Sequence, residues 1–390
     1  MSGNNSGNCT DAGSSLSWIE ERAKTIRKLE DLPPSIDPLR RERDFFAHPR
    51  KEDLDFAVTP YYLSLVREGE DDPIRLQCIP RVEERRVLPW ENEDPLQDIS
   101  HSPVPRLVHR YKDRVLLMVT DECAVYCRHC FRRHFSGKRR GGIGTSELSK
   151  VREYLENHSE LTELLLSGGD PLTLSDEKLR RILEEVRKAR PEIVIRVASR
   201  MPVVLPPRIS TNLVAMLRSF SPLFFVTQFN HPGEITPESS AAVASLVDSG
   251  VPVLNQAVLL RRVNDDTAVL AELFRTLVAR RVFPYYLLQG DLAAGTSHFR
   301  VPLSRGLELV SQLRQKLSGL AMPVYAVDLP GGGGKVPLTE NYLMGKREGF
   351  YPPVIVDPGS RDLESRKRIE FFRFTSPEGG EFEYPDERQL

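Results

Sequence analysis

The sequence predicts an α/β protein built as a partial (βα)6 barrel, and three observations point there. Six short apolar runs recur along the chain, at 115–120, 163–167, 193–199, 223–229, 252–260 and 284–289. Segments with helical spacing lie between them. Residues with reactive side chains fall at or near the C-terminal ends of the runs. Continuous apolar strands separated by amphipathic helices describe parallel βα units whose sheet is covered on both faces. A βα barrel carries its chemistry at the C-terminal ends of its strands.

The chain opens on MSGNNSGNCTDAGSS, which has neither the basic nor the apolar segment of a signal peptide. Residues 1–16 are therefore expected to form a disordered leader. Residues 17–105 are expected to form a helical, charged N-terminal extension broken by prolines. Trp18, Ile19, Ile26 and Leu29 fall near helical spacing, and Thr59-Pro60-Tyr61-Tyr62-Leu63 has the form of a capped helix start with proline just inside. No catalytic motif occurs there, so packing or oligomerisation is its expected role. The (βα)6 core follows at 106–335. Leu179, Ile182, Leu183 and Val186 mark the apolar face of one of its helices, and Val310, Leu313 and Leu317 that of another. Residues 336–390 read as a short C-terminal tail rich in proline and charge, with a terminal strand around Glu370-Phe371-Phe372-Arg373-Phe374.

Hydrophobic residues make up 40% of the 390 and charged ones 28%, the balance of a globular protein with a real core. The net charge of −1 gives no support for nucleic acid or an acidic membrane as partner. No apolar stretch approaches the ~20 residues of a membrane-spanning helix. The basic residues Arg132, Arg133, Lys138, Arg139 and Arg140 form a short run in a neutral chain. They read as a solvated face with one or two ligand-binding arginines. Five cysteines in the whole chain fit a reducing compartment, the cytoplasm.

Three of those cysteines, Cys123, Cys127 and Cys130, share one short segment, TDECAVYCRHCF. Three thiolates on one loop can hold a [4Fe–4S] cluster and leave one iron open to a small molecule. Structural zinc, with His129 or His134 as fourth ligand, is the competing reading. Such sites usually join two ligand pairs from separated segments, whereas Cys9 and Cys78 stand alone and far away. Three close cysteines cannot pair evenly as disulfides. After the second strand, Gly168, Gly169 and Asp170 form a turn that would let the backbone approach a ligand and adds an acceptor; alone, it reads as an ordinary turn. In Asp-Leu-Pro-Gly-Gly-Gly-Gly-Lys335, valine follows the lysine, so the nucleotide-binding G-x-x-x-x-G-K-[ST] pattern is not met. A lysine on a flexible glycine arm suits Schiff-base chemistry; isolated, it would read as a solvent lysine on a linker. Asp291 and Asp328 stand near these loops. Either could be a cap or turn former, but as a pair they suit a cationic group on a ligand.

Together, HRYKDRVLLMVTDECAVYCRHCFRR at 109–133, SGGDPL, FNHP at 229–232, NQAVLLRRVND at 255–265 and DLPGGGGK resemble the lysine 2,3-aminomutase family of radical S-adenosylmethionine (SAM) enzymes. The resemblance runs from about Thr59 to Tyr351. It implies a radical SAM barrel in which Cys123, Cys127 and Cys130 ligate a [4Fe–4S] cluster. S-adenosylmethionine would bind the fourth iron beside Gly168, Gly169 and Asp170, and yield a 5′-deoxyadenosyl radical. Lys335 would carry pyridoxal 5′-phosphate, with Arg110, Tyr111 and Arg114 contacting it. Arg132 would grip the substrate carboxylate, and Asp291 and Asp328 would receive the ε-ammonium of L-lysine, which is converted to β-lysine.

The resemblance also implies an electron donor such as flavodoxin or ferredoxin, and a homo-oligomer. Other members carry C-terminal cysteines that bind zinc at a subunit contact; no cysteine follows Cys130 here, which removes that basis for assembly. Carboxylates at 291 and 328 would repel glutamate, while arginine, also cationic, stays open as a substrate. A role in supplying β-lysine to elongation factor P likewise stays open. An iron–sulfur electron carrier would use only the cysteines, and a zinc-bound nucleic-acid module only the cysteines and the basic run.

Overall fold

A computed structural model describes residues 14–67, 69–138, 141–331, 333–339, 342–351, 367–375 and 380–386. The N-terminal part contains α1 (Ser14–Ala23), α2 (Arg40–Ala47), α3 (Pro60–Ser64) and α4 (Pro73–Cys78). The core then runs β1 (Leu107–Tyr111), β2 (Arg114–Thr120), α5 (Thr145–Glu156), β3 (Glu163–Gly168), α6 (Asp176–Ala189), β4 (Val194–Ala198), α7 (Met201–Val204), α8 (Thr211–Ser219), β5 (Leu223–Thr227), α9 (Pro237–Asp248), β6 (Val253–Leu259), α10 (Thr267–Ala279), β7 (Phe283–Gln289), α11 (Leu303–Arg314), β8 (Val324–Leu329) and β9 (Gly334–Pro337). A separate antiparallel sheet of β10 (Leu343–Tyr351), β11 (Lys367–Thr375) and β12 (Glu381–Asp386) ends the chain.

The core sheet has nine strands in sequence order. Strands β2 to β8 are parallel, while β1 and β9 are antiparallel edges. All six expected strands are therefore present as β2–β7. The sheet exceeds the expectation by a seventh parallel strand, β8, and two edges. Strand β8, VYAVDL, was not expected because Asp328 interrupts its apolar run and it leads directly into the Pro-Gly-Gly-Gly-Gly-Lys segment that reads as an arm. The two edges do not pair with each other through backbone. Instead, Lys335 N donates to Tyr111 Oη at 3.0 Å, and Arg110 lies 3.6 Å from Asp328. A seam of side chains thus closes the barrel between β1 and β8–β9.

Local sequence explains the helices. Ser175, Ser210, Thr236 and Asp266 accept the first free amides of α6, α8, α9 and α10, the usual service of short polar side chains at a helix start. Leu179, Ile182, Leu183 and Val186 form the buried face of α6, and Val310 and Leu313 that of α11; Leu317 lies past that helix. These faces cover the outward strand residues, among them Leu164, Leu166, Ile195, Val197, Phe225 and Leu287, all fully buried. Each such side chain contributes about 1.5–3 kcal/mol of burial.

The N-terminal extension departs from expectation. Its helices are short, none exceeding the ten residues of α1, and irregular segments join them because prolines interrupt each apolar pattern. Ile26 forms a β-bridge with Val58 instead of continuing α1, and Ile19 is exposed. The Thr59 cap is as expected, accepting Tyr62 N. The extension packs on the barrel through Trp18 against Arg208 and through Tyr62, whose hydroxyl donates to Glu234 at 2.6 Å. Of the leader 1–16, only 14–16 are described, as the start of α1; Cys9, Arg139 and Arg140 lie outside the described residues. The expected terminal strand is β11. No described helix is long and apolar enough to cross a membrane.

Candidate active site

Alternate residues of the strands point into the barrel. Leu165 and Ser167, Arg196 and Ala198, Gln256 and Val258, and Tyr286 and Leu288 line a cavity of about 570 Å³. Each of Cys123, Cys127, Cys130, Gly168, Gly169, Asp170, Arg110, Tyr111, Arg114, Arg132, Asp291, Asp328 and Lys335 borders that same cavity. Every site residue singled out in the sequence is thereby brought to one place.

The cysteine loop leaves β2 and folds over the turn after β3. Gly169 N donates to Thr120 O at 2.7 Å and Asp170 N to Glu122 O at 2.8 Å. A Cβ on Gly168 would lie 2.2 Å from Thr120 O, and one on Gly169 2.4 Å from Glu122 O. The backbone that approaches these glycines is the cysteine loop itself, so their first service is to seat it. Asp170 borders the cavity and also has a structural service. Its Oδ1 accepts Leu172 N and Ser199 Oγ, and its Oδ2 accepts Arg200 N at 2.8 Å. These bonds tie β3 to the end of β4.

Among the described residues the three sulfurs are not gathered within 4.8 Å of one another. A single zinc ion with bonds of about 2.3 Å would draw them closer than that, whereas thiolates at the corners of a cubane stand farther apart. The residues present therefore fit a four-iron cluster better than zinc. Burial pushes the thiols of Cys123 and Cys130 up, so loading a metal would release protons. His129 borders the cavity as a neutral ring: burial lowers it well below its usual range, and Nδ1 has no partner. His134 instead lies with Asp94 and Asp98 in a group whose ligand atoms fall within 4.8 Å. Both Asp94 oxygens already accept backbone amides, and Asp98 holds Arg132.

The second part of the site is the β8–β9 hairpin. Asp328 and Lys335 are cross-strand partners, and Lys335 Nζ is bonded to Asp328 Oδ2. Asp328 Oδ1 is buried without a hydrogen-bond partner. Lys335 thus sits on a paired edge strand, not on a loose arm, and the preceding glycines make the turn, Gly331 and Gly334 with positive φ. Lys335 Nζ stands 5.3 Å from the centre of the Tyr286 ring. Burial and the charge of Asp328 push the Asp291 carboxyl up to about 7, against the pull of Lys335. Arg132 meets Asp98 through Nε alone at 2.7 Å, leaving its terminal nitrogens for the cavity. Arg114 lies 3.8 Å over the Tyr111 ring, so the HRY segment and Lys335 meet at the seam.

Sequence reading missed Arg200, just beyond β4. Its Nη1 donates to Cys127 Sγ at 2.9 Å, while Nη2 is held by Tyr62, Gln77 and Glu234. A charged residue at a barrel strand's C-terminal end was the available signal. It also missed Glu84. Burial alone would raise this carboxyl, but Arg128 and Arg133 hold it down at about 2; two of the basic residues near the cysteines are therefore internal ion-pair partners.

Known proteins align with these features. A family model described as lysine-2,3-aminomutase matches residues 310–349, and one described as a 4Fe-4S single cluster domain matches 113–201. The L-lysine 2,3-aminomutases of Acetoanaerobium sticklandii and Clostridium subterminale are each 44% identical over 328 residues, 84% of this chain and 79% of theirs. The glutamate 2,3-aminomutase of Clostridioides difficile is 37% identical over 326 residues, 82% of this chain and 76% of its own.

Proposed function

This chain belongs to the lysine 2,3-aminomutase family, and on that premise we propose that it is an isomerase interconverting L-lysine and β-lysine. One observation carries the choice of substrate: Asp328, whose Oδ1 makes no hydrogen bond and faces Arg110 at 3.6 Å, and Asp291 border the same cavity as Lys335 and the three cysteines. A buried carboxylate oxygen that faces a cation without a hydrogen bond keeps room for a donor, and a substrate ammonium between the two carboxylates would supply one. A carboxylate substrate would be repelled there.

Cys123, Cys127 and Cys130 would hold the [4Fe–4S] cluster, with S-adenosylmethionine beside Gly168, Gly169 and Asp170. Lys335 would carry pyridoxal phosphate, flanked by Arg110, Tyr111 and Arg114. When bound, these groups supply a carbon radical that abstracts hydrogen and a π-system through which nitrogen moves between neighbouring carbons. The chain supplies position. Arg132, fixed by Asp98, would present its planar fork to the substrate carboxylate, and Asp291 and Asp328 would fix the far end. Two anchors at opposite ends would set which carbon faces the radical. Asp170 would act through Ser199 and Arg200, keeping the cysteine loop and β4 in register. Leu116, Leu165, Val226 and Val258 line the space between and would keep water from it. A soluble electron donor of flavodoxin or ferredoxin type, a reducing cytoplasm and a homo-oligomer complete the proposal.

The test is anaerobic reconstitution with iron, sulfide, pyridoxal phosphate, S-adenosylmethionine and a reductant, followed by separate reactions with L-lysine, L-arginine and L-glutamate. β-Lysine from lysine alone is the expected result. Product from arginine would keep the carboxylate argument and change the substrate, and product from glutamate would overturn it.

A further inference from the structure

A second cavity, of about 420 Å³, adjoins the first. Gln289, Gly290, Asp291, Arg300 and Asp328 border both. The two carboxylates proposed to receive the substrate ammonium therefore stand in a shared wall, with space on either side of it. Gly290 is the unfilled point of that wall. A Cβ built on it meets no atom within 4 Å, and its φ lies outside the left-handed region.

Backbone pairing holds the outer cavity in shape. Asn92 N donates to Leu292 O at 2.9 Å, and Ala294 N to Asn92 O at 2.9 Å, which pins the 88–92 segment along the loop after β7. Arg300 joins the same wall, with Nη1 2.7 Å from Glu91 Oε1 and Nη2 donating to Asp291 O at 2.9 Å. Leu88, Trp90, Leu292, Leu303, Val327 and Pro330 give the cavity an apolar lining, and Arg261 and Arg300 also border it. Trp90 and Leu303 are 61% and 43% exposed, so the cavity reaches solvent.

A site for an ammonium alone needs no room behind its carboxylates. Here that room exists, is lined by apolar side chains, and is flanked by arginines that oppose a second cation. It suits a neutral alkyl group carried on the substrate nitrogen. An ammonium bearing one alkyl substituent keeps its charge and two N–H donors, one for each carboxylate. An acyl substituent removes the charge and leaves both carboxylates without a cation.

We propose that the outer cavity receives an alkyl substituent on the terminal nitrogen, so that Nε-monoalkylated lysines are substrates alongside lysine. The inference rests on the proposed aminomutase reading. The reaction remains an isomerisation. The α-nitrogen leaves C2 for C3, one hydrogen moves from C3 to C2, and the alkylated terminus is unchanged, so no further reactant is consumed.

The reconstituted enzyme would be given L-lysine and its Nε-methyl, Nε-isopropyl and Nε-acetyl derivatives in separate reactions, with the isomers resolved by chromatography and mass. Both alkyl-lysines are expected to react with kcat/KM within roughly tenfold of lysine, because apolar bulk that finds room is only weakly rejected. Acetyl-lysine should fall about a hundredfold or more below lysine, the loss of a buried charge pair. Gly290→Val narrows the wall without backbone strain. It should lower the ratio of isopropyl-lysine to lysine kcat/KM roughly tenfold or more, and the methyl-lysine ratio less. Turnover of lysine without turnover of isopropyl-lysine, or an unchanged ratio in Gly290→Val, would overturn the outer cavity's role. Acetyl-lysine reacting as well as isopropyl-lysine would overturn the need for charge. Absence of product from lysine itself would instead sink the proposed function.

Discussion

Replacing Asp291 by asparagine should make the cofactor-free protein more stable above neutrality while weakening its use of lysine. The Asp291 carboxyl is pushed up to about 7 by burial and by Asp328, against about 3.9 in an unfolded chain. An acid whose folded value is raised favours the folded state when protonated. Its contribution is full below pH 4 and is lost as pH rises through 7. Three units at about 1.36 kcal/mol each come to about 4 kcal/mol. Water in the cavity screens part of this, so a difference of about 2–4 kcal/mol at pH 8 is expected. Urea unfolding followed by tryptophan fluorescence, at pH 5 and pH 8, would measure it. The unaltered protein should lose stability between the two pH values, and Asp291→Asn should lose much less. Asp328→Asn should move the same transition to lower pH, because it removes the second cause. Identical pH dependence in all three proteins would refute the reasoning.

Three further outcomes follow from the geometry. Gly169→Ala sets a Cβ 2.4 Å from Glu122 O, a backbone atom that cannot yield cheaply; iron content after reconstitution should fall sharply, while far-ultraviolet circular dichroism changes little. Arg132→Met should raise KM for lysine roughly ten-fold or more, the loss of one charged hydrogen bond, and kinetic titration would show it; an unchanged KM places the substrate carboxylate elsewhere. Cys127→Ala should lower bound iron and also release Arg200, whose Nη1 rests on that sulfur, whereas Cys78→Ala, at a buried thiol outside the cavity, should leave iron content unchanged.

The parallel core was legible because its outer face is continuous: Leu164, Leu166, Ile195 and Val197 leave an apolar signature that solvent exposure does not interrupt. The edges were not legible. Strand β1 carries His109, Arg110 and Tyr111, and β9 carries Gly334 and Lys335, so both follow pairing and chemistry instead of hydrophobic period. The site was legible where chemistry demands unusual residues, as with three close cysteines or a lysine after four glycines. It was illegible where ordinary residues are recruited by topology. Arg196 and Arg200 look like any charged residues in a neutral chain until the sheet turns them inward. Asp170 reads from sequence alone as part of an ordinary glycine turn, and its bonds to Ser199 and Arg200 are visible only in the fold.

The side-chain seam has a consequence for the life history of the molecule. Tyr111 and Lys335 are 224 positions apart, and their contact joins the first and last strands of the sheet. Until that meeting, the lysine has no phenol to fix its backbone, and Arg110 has no Asp328 to face. A growing or truncated chain could assemble the cysteine loop, whose residues are near neighbours, long before it could present the lysine. The cysteines share one short segment, whereas the place of the lysine depends on the finished barrel.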